Sequence, residues 1–128
     1  TGRLPFKWLY PTGKKQEEIK PKFPNLYNWA DVIAGDLHYI RRYMPKHLKD
    51  KIIVTNTTTK ENIEEFRLRG VKMVITTTPE FGGRTFGTNV IEALICAFLK
   101  KRPDTISSDD YLSMLERLNF KPRVIQLN

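Results

Sequence analysis

Cysteine is nearly missing from this 128-residue chain, where Cys96 stands alone. One thiol builds no internal disulfide framework, and without a Cys/His cluster around it there is no ligand set for a structural zinc. Histidine is almost as scarce, with only His38 and His47. No apolar run approaches the roughly 18 residues of a membrane span, and no signal-peptide pattern opens the chain. These absences predict a cytoplasmic protein that meets no membrane and holds no metal. Hydrolase signatures are missing as well: there is no Ser/His/Asp order, no His-Glu-x-x-His and no paired-carboxylate spacing.

What is present suits one domain: 40% hydrophobic and 28% charged residues, in a length that buries roughly two-thirds of the unfolded surface without a staple. The chain opens on Thr1 and its first 29 residues hold only a weak apolar pattern. It reads as a piece of a longer protein, with part of any active site upstream. The net charge of +8 invites nucleic acid, but the cations are scattered. One group lies in residues 1–29, one in residues 38–51 (Arg41, Arg42, Lys46, Lys49, Lys51), and one at Lys100, Lys101 and Arg102, where cations suit a helix end. A basic balance without one recognition element disfavours nucleic acid.

Residues 1–29 carry four prolines and six aromatics, among them Phe6, Trp8, Tyr10, Phe23, Tyr27 and Trp29. They are expected as irregular pieces wrapped on the core of a second unit, residues 30–128. From Trp29 onward the pattern becomes strand then helix, three times. Residues 30–36 form the first apolar run, followed by a helix from His38 to about Leu48, interrupted at Pro45. Residues 51–56 are β-branched; Thr58 with Glu61 fits a capping box, and Gly70 closes the second helix. Residues 71–76 give the third strand. After a loop over 80–88 comes an apolar helix over 89–101, stopped by Pro103. A Ser-capped helix from Ser107 or Ser108 to Leu118 has Tyr111, Leu112, Leu115 and Leu118 on one stripe, and residues 123–127 suggest a last strand.

This alternation predicts an α/β fold: a Rossmann-like three-layer sandwich with a mostly parallel sheet of three or four strands and helices on both faces. Ligands bind such sheets outside the carboxyl ends of the strands. All three strands end in polar residues: Gly35 and Asp36 with His38 after them, then Asn56 and Thr57, then Thr76 and Thr77. Asp36 and His38 are candidate acid–base residues, with a capping Asp beside a partly exposed His as the plainer alternative. Gly82-Gly83-Arg84-Thr85-Phe86-Gly87-Thr88-Asn89 follows a strand and opens a helix. Its glycines permit close backbone approach, the helix start offers N–H groups, and Arg84 suits phosphate or carboxylate. It is neither a Walker A loop nor G-x-G-x-x-G; a flexible loop with Thr88 as helix cap is the alternative. The next helix is apolar nearly all round, so another surface should enclose it. Glu92 suits its first turn, and Cys96 reads as an inert core thiol.

Several segments resemble the C-terminal part of the quinate 5-dehydrogenase family, related to shikimate dehydrogenases. They are Leu9-Tyr10-Pro11-Thr12-Gly13-Lys14-Lys15-Gln16, Trp29-Ala30-Asp31-Val32-Ile33-Ala34-Gly35-Asp36 and Arg41-Arg42-Tyr43-Met44-Pro45. Thr55-Asn56-Thr57-Thr58-Thr59, Thr76-Thr77-Thr78-Pro79 and Gly83-Arg84-Thr85-Phe86-Gly87-Thr88-Asn89 complete the set. The resemblance implies an oxidoreductase using NAD or NADP on a hydroxyl of a cyclic polyol acid. This chain would be the second half of the cofactor domain. The glycine fingerprint and a Lys–Asp acid–base pair would lie upstream, leaving the fragment alone inactive. On that analogy Gly35, Asn56, Thr57, Thr76, Thr77 and residues 82–89 contact cofactor or substrate. A non-catalytic module for a nucleotide or small anion is the other reading. Expected partners are a small anionic or polyol-acid ligand, the upstream part of the same protein, and a second copy.

Overall fold

Short β-branched runs between polar breaks become strands when a neighbour buries one of their faces, and that happens three times here. The computed structural model describes residues 19–128; the expectations for Phe6, Trp8 and Tyr10 lie outside the described residues. Helix α1 (Pro24–Trp29) begins with proline, which is preset for a first helical turn. Then follow β1 (Val32–Ala34), α2 (Leu37–Tyr43), β2 (Ile52–Thr55), α3 (Lys60–Leu68) and β3 (Met73–Thr76). Two dipeptide strands, β4 (Glu80–Phe81) and β5 (Arg84–Thr85), come next, then α4 (Thr88–Leu99), a 3-10 turn (Pro103–Thr105), α5 (Ser108–Arg117) and β6 (Arg123–Gln126).

The chain is a mixed α/β fold with a small, mostly parallel sheet in the order β1-β2-β3-β6. β1, β2 and β3 run parallel, and β6 lies antiparallel to β3. Register aligns Ile33, Ile53, Val74 and Ile125 in one row across all four strands. That row meets Leu37, Ile40 and Met44 of α2, and Ile63 and Phe66 of α3, in a single cluster. Both helices therefore cover the same face, which two right-handed crossovers stepping in one direction require. The other face carries Val32, Ile52, Val54, Met73, Ile75 and Val124, none of which belongs to an apolar cluster of the described residues. Burial alternates along β2 and β3 accordingly, whereas the continuous apolar runs had suggested cover on both faces.

A second, smaller cluster joins α4 to α5 through Ile91, Ile95 and Met114, with Leu99, Tyr111, Leu115, Leu118 and Phe120 packed around them. The α5 stripe thus runs through Met114, and Leu112 is exposed, because positions three, four and seven after Tyr111 share its face. Other local expectations shift by a residue. The α3 cap is Thr59 with Asn62, since Thr58 is drawn into a buried bond elsewhere. Gly87, not Thr88, caps α4. Gly70 closes α3 with a positive φ, as read from sequence. Of the aromatics expected to be buried, Tyr27 packs on the main cluster, while Phe23 and Trp29 are exposed. No helix among the described residues is long and apolar enough to cross a membrane.

Candidate functional site

The carboxyl ends of β1, β2 and β3 do lie on one edge, and most of their threonines bond to protein there. Thr55 Oγ1 donates to the Gly35 carbonyl at 2.7 Å, and Thr76 Oγ1 donates to the Thr78 carbonyl at 3.2 Å. Thr78 Oγ1 donates to the Phe86 carbonyl at 2.7 Å. The Thr58 backbone N–H donates to Thr85 Oγ1 at 2.7 Å, and the two hydroxyls are 2.9 Å apart. Thr55, Thr58, Thr76, Thr78 and Thr85 are all buried. A buried hydroxyl needs a partner, and these have found theirs inside the fold. Thr76 and Thr85 are therefore struts in the wall of the edge, while Thr77 is exposed beside them.

Asn56 and Thr57 are half-buried, with Thr57 Oγ1 donating to Asn56 Oδ1 at 3.1 Å. Thr57 adopts φ 55, a left-handed conformation that is an outlier for a β-branched residue. Gly87 lies next to it, its missing Cβ 3.8 Å from Thr57 Oγ1. Gly87, Thr88 and Asn89 form the start of α4, where Gly87 supplies no side-chain cap. At the first strand, Asp36 accepts the backbone N–H of His38 at 2.9 Å and caps α2. That bond is a helix cap.

The glycine-rich segment is not one continuous loop. β4 and β5 pair as a hairpin, Glu80 opposite Thr85 and Phe81 opposite Arg84. Its two turn residues, Gly82 and Gly83, have φ 60 and 82, the positive pair that a type I′ turn demands. The Thr58–Thr85 bonds and a Thr85 N–H to Thr58 carbonyl bond of 2.9 Å pin this hairpin against the start of α3. Between them lies a polar cleft of about 150 Å³ lined by Thr59, Lys60, Glu61, Gly82, Gly83 and Arg84. A second cleft of about 140 Å³ shares Lys60 and Gly83 and adds Thr58, Ile63, Glu80, Arg123 and Ile125.

Charge in the first cleft is mixed. The Thr59 hydroxyl, with the Glu61 backbone N–H and then the Arg84 and Lys60 charges, holds the Glu61 carboxyl below the usual carboxylate range against the opposing effect of burial. Arg123 pairs with Glu80 across the second cleft. Among the described residues, Lys60 and Arg84 form no salt bridge. Sequence reasoning had placed Gly82, Gly83 and Arg84 at a site but missed Thr59, Lys60, Glu61, Glu80 and Arg123. The available signal was the cap, since a helix capped at Thr59 puts Lys60 and Glu61 at its first two positions.

The fold and the cleft thus describe a small mixed α/β domain with a polar site at the carboxyl edge of its parallel strands. The sequence pattern of DUF8754, a domain of unknown function, matches residues 1–127, and the chain belongs to that family. No curated protein and no solved structure matches it.

Proposed function

We propose that this domain is a ligand-binding α/β module that holds a small anion between the first turn of α3 and the Gly82-Gly83 turn. The observation that carries the reading is the convergence of Lys60 and Arg84 on one polar cleft. Arg84 would offer its planar fork to two oxygens of a phosphate or carboxylate, and Lys60 a compact charge. The cleft is well below the roughly 300–1,000 Å³ of pockets that enclose a drug-sized ligand. It suits the anionic group of a ligand, with the remainder of the molecule outside.

The oxidoreductase reading uses the same cleft. In it, this chain is the C-terminal cofactor-binding portion of a quinate/shikimate dehydrogenase-like enzyme of the cytoplasm. The cleft would take a phosphate of NAD or NADP, or the carboxylate of a polyol acid, and the proton-transfer pair would lie upstream. Its support is the resemblance of the segments given above and the site's position at the carboxyl edge of parallel strands. That reading carries the finer architecture too, a Rossmann-like three-layer sandwich. Its support is the parallel β1-β2-β3 order and the apolar residues Val32, Ile52, Val54, Met73, Ile75 and Val124, which a further layer would cover. Association with the upstream part of the protein or with a second copy fits the exposed Val90, Leu94 and Phe98 on α4.

Backbone amide shifts of the chain, titrated with inorganic phosphate, NAD, NADP and quinate, test both. Phosphate should move the amides of residues 59–61 and 82–84. The Arg84→Ala change should weaken it about tenfold, as loss of one charge-assisted bond does. If no anion moves those amides, the module reading fails. If phosphate moves them and neither dinucleotide nor quinate does, the oxidoreductase reading fails alone.

A further inference from the structure

The two glycines of the hairpin turn have unlike surroundings. A Cβ built on Gly82 meets nothing within 4 Å, whereas one on Gly83 lies 2.5 Å from Lys60 Cε, 3.3 Å from Cδ and 3.4 Å from Cγ. The Lys60 stem therefore lies along the bare face of Gly83, and both residues line the two clefts. On one side stand Glu61 and Arg84, and on the other Glu80 and Arg123. Both glycines have positive φ, so turn geometry accounts for either of them. Turn geometry does not account for the contact, which belongs to Gly83 alone.

We infer that Gly83 is the positioning residue for Lys60, and that the hairpin turn thereby sets the affinity of the anion cleft. This rests on the reading of the cleft as an anion site. The atom in the way is the far end of a flexible side chain, so a Cβ at position 83 moves Lys60 rather than unfolding the turn. Displaced, the ammonium leaves the wall it shares with Arg84, and the site loses one of its two cations. The coupling is reciprocal, as linkage requires: an anion that holds Lys60 in place also holds the turn.

Asparagine tolerates positive φ and is favoured at the first central position of a type I′ turn, so it probes both glycines with little strain of its own at position 82. Inorganic phosphate is titrated by calorimetry into the wild-type chain, Gly82→Asn, Gly83→Asn, Lys60→Met and the Gly83→Asn/Lys60→Met double variant. Thermal midpoints confirm that each is folded. Gly82→Asn, which leaves the Lys60 stem its room, should lose less than Gly83→Asn, and Lys60→Met should bind about tenfold more weakly, the loss of one charge-assisted contact. Gly83→Asn should lose about three- to tenfold by the same mechanism. The double variant should bind no worse than Lys60→Met, because the Gly83 effect acts only through that side chain. Wild-type binding retained by Gly83→Asn, or an equal loss in Gly82→Asn, overturns the inference and leaves the anion site standing. A wild-type chain that binds no phosphate overturns the anion site, and this inference with it.

Discussion

The two halves of the described chain are about equally apolar, yet only one of them closes a core. Across β1, β2, β3 and β6, one row of residues meets α2, α3 and Leu127 in a cluster whose central members, Ile53, Phe66, Val71 and Val74, are fully buried. From the hairpin to Phe120, the buried apolar residues are Ile91, Ile95 and Met114 alone, in a cluster of their own. α4 is apolar nearly all round, but Val90, Leu94 and Phe98 face outward, Phe98 at 60% exposure. Phe81, Phe86, Val90, Leu94 and Ala97 bound an apolar groove of about 470 Å³. Hydrophobic content alone does not make a core. Strand register and crossovers give the first half partners on the buried side of every strand, whereas a helical pair shares only one stripe per helix. The proposed anion cleft lies where the halves meet, one wall from α3 and the other from the hairpin.

The largest expected effects measure that inequality. Phe66→Ala opens a cavity in a sealed cluster and should cost about 3–5 kcal/mol in denaturant unfolding. Met114→Ala sits in a three-residue cluster that can collapse, and should fall near the low end of such changes, about 2 kcal/mol. Hydrogen exchange should show α4 and α5 opening together at a lower free energy than β2 and β3. Equal protection of α4 and β3, or a Met114→Ala cost matching that of Phe66→Ala, would break the comparison.

The same inequality governs what could be read beforehand. β1, β2 and β3 were legible because β-branched runs bounded by Gly, Asn and Thr leave few alternatives. The one-sided helical cover was less legible, since the face that a right-handed crossover covers depends on the strand order. β4 and β5 are two residues each, too short for any period, and Gly82-Gly83 was read with the residues after it as one loop. A hydroxyl near a strand end looks the same in sequence whether it faces a ligand or, like Thr85, bonds a neighbouring loop. Lys60 and Glu61 were hidden because Lys and Glu in a first turn are the ordinary surface residues of helices.

An intermediate effect is an alkaline response that is larger in the second half, although burial and then Tyr43 also raise the Tyr27 phenol on the main cluster. Tyr111 lies between α4 and α5, its hydroxyl 3.4 Å from Glu92 Oε1 and 4.0 Å from Cys96 Sγ. Desolvation, then Cys96 and Glu92, push its phenol from 10.0 up to about 12. A raised folded value favours the protonated phenol. Its contribution is complete below pH 10 and is lost as pH rises through about 12. At the acid end the sign reverses for Asp110, whose carboxyl is held below 3.8 by the Ser107 N–H and then Lys101. That contribution is present above pH 3.8 and disappears as pH falls through the lower folded value. Protection of the α4–α5 amides should therefore fall between pH 10 and 12 ahead of the sheet amides, and Tyr111→Phe should abolish the difference. If the sheet loosens in step with α4 and α5 and Tyr111→Phe delays both, the halves are not separate cooperative units.

The smallest effect belongs to the junction itself. Thr57 sits at φ 55 between β2 and α3, with Gly87 at its side. The left-handed region costs an L-residue roughly 1–2 kcal/mol, and a glycine there would recover part of it while adding about 0.5–1 kcal/mol of unfolded-chain entropy. Thr57→Gly should therefore stabilise the chain by no more than about 1 kcal/mol, read as a small rise in the denaturation midpoint. A clear loss instead would mean that the Thr57 hydroxyl, through its bond to Asn56, contributes more to stability than its backbone strain subtracts. The anion titration of the same variant separates the two. Strain held for geometry alone leaves phosphate affinity unchanged when relieved, whereas strain that aligns α3 with the hairpin weakens it.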